Sequence, residues 1–92
     1  MSKTKEQAAE RAERDLAARL GIDAAKITLE SIDEAEFPNG SLGAPVDGEM
    51  SMMMITPGWK LQFSAEGKTY EYRAANGQLR LFRFDGQNFV VE

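Results

Sequence analysis

The sequence predicts an α+β fold, with an N-terminal helix packed on an antiparallel β-meander of about five or six strands, and residues 1–92 forming a single domain. Three observations predict it. Apolar residues recur at helical spacing only ahead of Gly21. Clean alternation of apolar and polar residues appears only after Pro57. Two-residue turn signals, Asn76-Gly77 and Asp85-Gly86, divide the alternating runs that follow.

The helix is expected over residues 4–20. Thr4-Lys5-Glu6-Gln7 reads as a capping box, in which Thr4 and Gln7 would satisfy the free amides of the first turn. Ala9, Ala12, Leu16 and Leu20 fall on one face, and their small side chains permit close approach to a sheet. Glu10–Arg14 and Asp15–Arg19 are favourable pairs four residues apart. Gly21 suits a left-handed cap, after which Ile22 folds back on the last turn.

A first strand is expected over residues 26–33, with Ile27 and Leu29 on one face; Ile32 breaks that alternation and implies a bulge or strand end near Ser31. Residues 34–48 carry Pro38, Asn39-Gly40, Gly43 and Pro45 and read as a long loop. Residues 50–55 are apolar on both faces and suit a strand that is central or lies under a helix. Pro57-Gly58 reads as a turn with Gly58 at positive φ. Trp59, Leu61, Phe63 and Ala65 then alternate with Lys60, Gln62, Ser64 and Glu66, and Tyr70, Tyr72 and Ala74 do so with Thr69, Glu71 and Arg73. This pattern is expected to turn Trp59 and the tyrosines inward beneath the helix and to leave the glycine- and proline-rich loop outermost.

Composition removes several chemistries. With no cysteine there is no disulfide and no thiolate, and with no histidine the usual base near neutral pH and the commonest metal ligand are missing. The net charge of −4 is uneven: residues 1–56 hold six basic against eleven acidic residues, and the remainder is nearly balanced. An acidic chain is a poor generic binder of nucleic acid or anionic membrane. The opening residues lack the apolar run of a signal peptide and no stretch is long enough to span a bilayer, so a cytoplasmic location is expected.

Phe37-Pro38-Asn39-Gly40-Ser41-Leu42-Gly43-Ala44-Pro45, then Gly48, Thr56-Pro57-Gly58-Trp59 and Tyr70-Glu71-Tyr72-Arg73, resemble a pattern in small, largely uncharacterised bacterial domains. That pattern reads aromatic-Pro-Asp-x-Ser-Leu-Gly-Cys-Pro, a glycine and a Tyr-x-Gln, Thr-Pro-Gly-aromatic and Tyr-x-Tyr-His. The likeness covers about residues 15–74. Ala44 stands in place of Cys, Ser51 of Tyr, Met53 of Gln and Arg73 of His. The resemblance implies relatives that are often exported, a fold and a segment of interest, and no reaction.

Residues 30–49 hold Glu30, Asp33, Glu34, Glu36, Asp47 and Glu49 and no basic residue. Calcium would need several of these oxygens at about 2.3–2.6 Å, but their spacing matches no defined loop. They read as a solvated acidic edge or a surface for a basic partner, with weak calcium binding as a hypothesis. Ser31, Ser41, Ser51 and Ser64 lack a histidine or a nucleophile elbow, and Gly40, Gly43 and Gly48 are not followed by the lysine of a phosphate loop. Lys60, Lys68, Arg73, Arg80 and Arg83 lie among aromatic residues of the C-terminal strands, as in single-strand nucleic-acid binders, with Phe82 and Phe84 expected on the face of Arg80. The methionines of residues 50–54 are either core or, left uncovered, a dimer interface.

The expected function is therefore a non-enzymatic binding domain that presents residues 37–48, with Phe37, Asn39, Ser41, Leu42 and Pro45 as the binding residues. No catalytic residue, cofactor or metal is assigned. A protein partner is expected, without nucleic acid or membrane, for a monomer or weak homodimer. The alternatives are a protease-type inhibitor using the same loop, or a hydrolase.

Overall fold

The structure, a computed structural model, describes residues 5–50, 52–75 and 77–91. Helix α1 spans Lys5–Leu20, and Ala8, Ala12 and Leu16 form its buried stripe. It ends as expected: Gly21 takes a φ of 68°, and the Ile22 amide donates to the Ala17 carbonyl at 3.1 Å. Thr4 of the expected capping box lies outside the described residues. A short 3-10 turn over Ala24–Lys26, capped by Asp23 whose carboxylate accepts from the Ala25 amide, leads into the sheet.

Five antiparallel strands follow in sequential order: β1 (Thr28–Phe37), β2 (Thr56–Ala65), β3 (Lys68–Ala75), β4 (Gln78–Phe84) and β5 (Gln87–Val91). The bulge expected near Ser31 is present, since the register of β1 on β2 shifts between Leu29 and Ser31. Asp85-Gly86 joins β4 to β5 with both residues left-handed, and Glu66-Gly67 does the same between β2 and β3, the twist that a two-residue hairpin requires. Ala75 pairs with Gln78 across the next turn, whose Asn76 lies outside the described residues.

Several expectations are corrected. The first strand runs to Phe37, so residues 34–37 are strand and not loop. Glu34 and Glu36 are exposed along this edge, where charge discourages pairing with another sheet. Pro57-Gly58 is no turn: both residues pair within β2, opposite Glu36 and Ala35. Gly58 is not among the left-handed residues; it is glycine because a Cβ there would sit 2.1 Å from the Ala74 carbonyl oxygen and 2.7 Å from the Ala75 Cβ. Residues 52–55 form no strand and lie exposed on the surface, and β1 pairs directly with β2 with no strand between them. Phe82 and Phe84 do not share a face. The β4–β5 register shifts between Leu81 and Phe84, Arg83 turns left-handed at φ 54°, and Phe84 swings to the helix side.

The helix packs on one face of the sheet, against Leu61, Phe63, Tyr72, Leu79 and Leu81. Tyr72 is fully buried, meets Phe63 edge-to-face at 5.7 Å, and donates its hydroxyl to Asp15 Oδ2 at 2.6 Å. Asp15 also accepts from Arg19 Nε at 2.6 Å, and that guanidinium lies 4.5 Å from the centre of the Phe89 ring. Trp59 and Tyr70 are half-buried at the margin of this core and not enclosed by it. A second, smaller cluster of Phe37, Leu42 and Ala75 lies apart from this core. Residues 38–50 are thus folded onto the sheet and not held away from it.

Candidate functional site

The segment from residue 38 to residue 55, called the strap here, is held by side chains of β3, β4 and β5. In a strand successive side chains face opposite ways, so Arg73 and Ala75 of β3 share a face, as do Gln78 and Arg80 of β4. The two-residue turn sets Arg73 directly opposite Arg80. Two like charges in that relation repel unless each has a partner. Arg73 Nε donates to Glu71 Oε2 at 2.7 Å, and Arg80 makes a two-pronged pair with Glu49 at 2.7 and 2.6 Å.

Both arginines also hold strap backbone. Arg73 Nη1 donates to the Leu42 carbonyl at 2.9 Å while its guanidinium stacks 3.7 Å from the centre of the Phe82 ring. Arg80 Nη1 donates to the Ala44 carbonyl at 3.2 Å, Gln78 Nε2 to the Gly40 carbonyl at 3.0 Å, and Asn88 Nδ2 to the Pro45 carbonyl at 2.8 Å. Inside the strap, Asn39 Oδ1 accepts from the amides of Ser41 and Gly43 at 3.0 and 3.1 Å, an Asx turn that carries Leu42 and Gly43 into the left-handed region. The Gly40 amide donates to the Met52 carbonyl at 2.9 Å and ties the far end of the strap to its start.

These anchors sort the residues expected to bind. Phe37, at the end of β1, and Ser41 and Leu42 of the strap are 1, 2 and 0 % exposed, so all three are turned into the protein and none is presented. Leu42 is drawn in because its backbone is clamped by Arg73 while its side chain fills the space over Ala75. Asn39 is half-buried and organises the turn, and Pro45 is exposed. The inhibitor alternative needs an outward loop centre, but the outward positions are Pro38, Pro45, Asp47 and Gly48.

Sequence reasoning missed the anchors. It noted Arg73 and Arg80 only as basic residues among aromatic ones and gave them no partner, whereas the structure engages both with carboxylates and strap carbonyls. The signal was available: a two-residue turn at Asn76-Gly77 puts Arg73 opposite Arg80, and the acidic surplus upstream supplies a partner. Of the two readings open for the methionine run, core or uncovered, the structure shows the uncovered one. Met50, Met52, Met53, Met54 and Ile55 are 96, 72, 89, 50 and 67 % exposed. Met50, Met52 and Met54 line a shallow groove of about 380 Å³ together with Gly40, Ser41, Glu49, Thr56, Gln78 and Arg80.

Two groups titrate far from their ordinary range. The hydrogen bonds from Arg80 hold the Glu49 carboxyl down at about 2, against the opposing effect of burial. Burial, reinforced by the bond to Asp15, pushes the Tyr72 phenol well up. Neither shift prepares a group for proton transfer near neutral pH. Among the described residues no three acidic side chains gather as a cation cage, and Glu49 is already engaged by Arg80. Among them, too, no helix is long and apolar enough to cross a membrane.

A family model described as a domain of unknown function (DUF8738) matches residues 9–82. No curated protein and no solved structure matches the chain.

Proposed function

Because the chain belongs to the DUF8738 family, a domain of unknown function, we propose its role from geometry: a non-enzymatic binding module whose recognition surface is the outer side of the strap. The partner is a protein with a complementary apolar surface. One observation carries this reading, the run of large apolar side chains left in water at Met50, Met52, Met53, Met54 and Ile55. Scattered exposed apolar residues are ordinary, but five within six positions concentrate exposed apolar area in one segment, a feature of interaction sites. Fully burying two of them is worth about 3–6 kcal/mol before the costs of association. The strap that bears them is anchored by Arg73, Gln78 and Arg80, which lowers the ordering cost of binding. Methionine suits such a surface, being unbranched and polarizable.

The test uses a variant with Met52→Lys and Met53→Lys, both at exposed positions. A protein retained from the native host by the wild-type chain is purified and titrated against both forms by calorimetry. The lysine variant is expected to bind at least about tenfold more weakly while unfolding at the same urea concentration. Equal affinity for the two forms would overturn the proposal.

A further inference from the structure

We propose that Met50, Met52 and Met54 form a thioether site for a soft monovalent cation, Cu(I) or its redox-inert mimic Ag(I). The inference stands apart from the protein-binding reading, because it needs sulfur where that reading needs only apolar area.

The placement of the three side chains argues for it. Methionine carries three rotatable bonds, so sulfurs borne by residues that line one groove can converge. Met52 and Met54 are drawn together, since the Met54 amide donates to the Met52 carbonyl at 3.0 Å and closes a three-residue turn at Met53. The same carbonyl accepts from the Gly40 amide at 2.9 Å, so the turn is fixed to the strap and does not float. Met50, Met52 and Met54 consequently line one groove, and Met53 is not among its lining residues.

The chemistry selects the ion. Thioether sulfur is a soft, neutral donor that favours Cu(I) over hard divalent cations. The chain has no cysteine and no histidine, so neither thiolate nor imidazole competes with these sulfurs for a soft ion. The carboxylate in the groove, Glu49, is held by Arg80, which leaves no free acidic oxygen there to favour calcium or magnesium and cancels the charge of the guanidinium. A net charge of −4 on the chain favours the approach of a cation.

The test substitutes leucine, which keeps apolar volume and removes sulfur. Ag(I) is titrated into the full chain while the methionine methyl resonances are followed, and Cu(I) binding is measured anaerobically by competition with a chromophoric Cu(I) chelator. The expected result is one ion per chain, with the methyls of Met50, Met52 and Met54 shifting most. The triple variant M50L/M52L/M54L is expected to lose at least about tenfold in affinity, and Met53→Leu to stay within about twofold of wild type. Absence of methyl shifts at equimolar Ag(I), wild-type affinity in the triple variant, or an equal loss in Met53→Leu would each overturn the site. Because leucine preserves the apolar patch, a triple variant that loses the ion yet still binds the protein partner separates this inference from the proposed function.

Discussion

Removing both members of the Arg80–Glu49 pair should cost less than the sum of the two single removals. Arg80 is 5 % exposed and its guanidinium makes two charge-assisted bonds to Glu49, one bond to the Ala44 carbonyl and one, at 3.2 Å, to Gln78 Oε1. Breaking a buried pair from one side costs about 3–5 kcal/mol, chiefly through the charge left behind. The two sides are not equivalent here. The Glu49 side chain is 25 % exposed, so Arg80→Met leaves a carboxylate that regains water, and about 2–3 kcal/mol is expected. Glu49→Ala strands a guanidinium that is nearly enclosed, and about 3–4 kcal/mol is expected. The double variant should be more stable than the sum of the single losses predicts, by about 2 kcal/mol. Urea unfolding of all four forms measures this, and hydrogen exchange at residues 44–50 should rise in each variant as the strap loosens. Acid gives a second reading. The Glu49 carboxyl titrates at about 2 in the fold against an ordinary 4.5, so its contribution is complete above about pH 4.5 and fades as the pH falls toward 2. That part of the acid sensitivity should vanish in Glu49→Ala. Single losses that add within about 0.5 kcal/mol would refute the argument and make the pair an incidental surface contact.

Two further outcomes follow from packing. Leu42→Ala should cost about 2–3 kcal/mol in urea unfolding, since its side chain is fully buried over Ala75 and Phe37; a loss below about 0.5 kcal/mol would mean the strap lifts freely from the sheet. Gly58→Ala should cost more than about 2 kcal/mol through collision with the Ala74 carbonyl, whereas Gly21→Ala, left-handed but with open space around it, should cost about 1 kcal/mol; thermal melts that rank the two in the opposite order would contradict the close approach of β2 and β3.

Much of the fold was legible because it rests on short-range chemistry. The period of Ala12 and Leu16, the cap at Gly21, the alternation through Leu61 and Phe63, and the hairpin residues Asp85-Gly86 each specify local geometry without reference to the remainder of the chain. Consecutive hairpins then leave little choice of topology, and the meander follows. The candidate site was legible only as a segment. Residues 37–48 carry turn chemistry that a sequence displays openly, but the direction in which Leu42 points depends on Arg73, thirty-one residues later.

By itself, then, the sequence determined one helix, an antiparallel sheet, an acid-rich first half and a loop stiffened by proline and Asx chemistry. The tertiary structure decided what covers the second face of that sheet. An apolar run such as residues 50–55 can be core or surface, and its period does not say which. Two arrangements set the outcome: β1 pairs directly with β2 and leaves no place between them for a strand, and opposed arginines needing carboxylates and carbonyls hold Leu42, Ala44 and Glu49 over β3 and β4, with the methionines left in water.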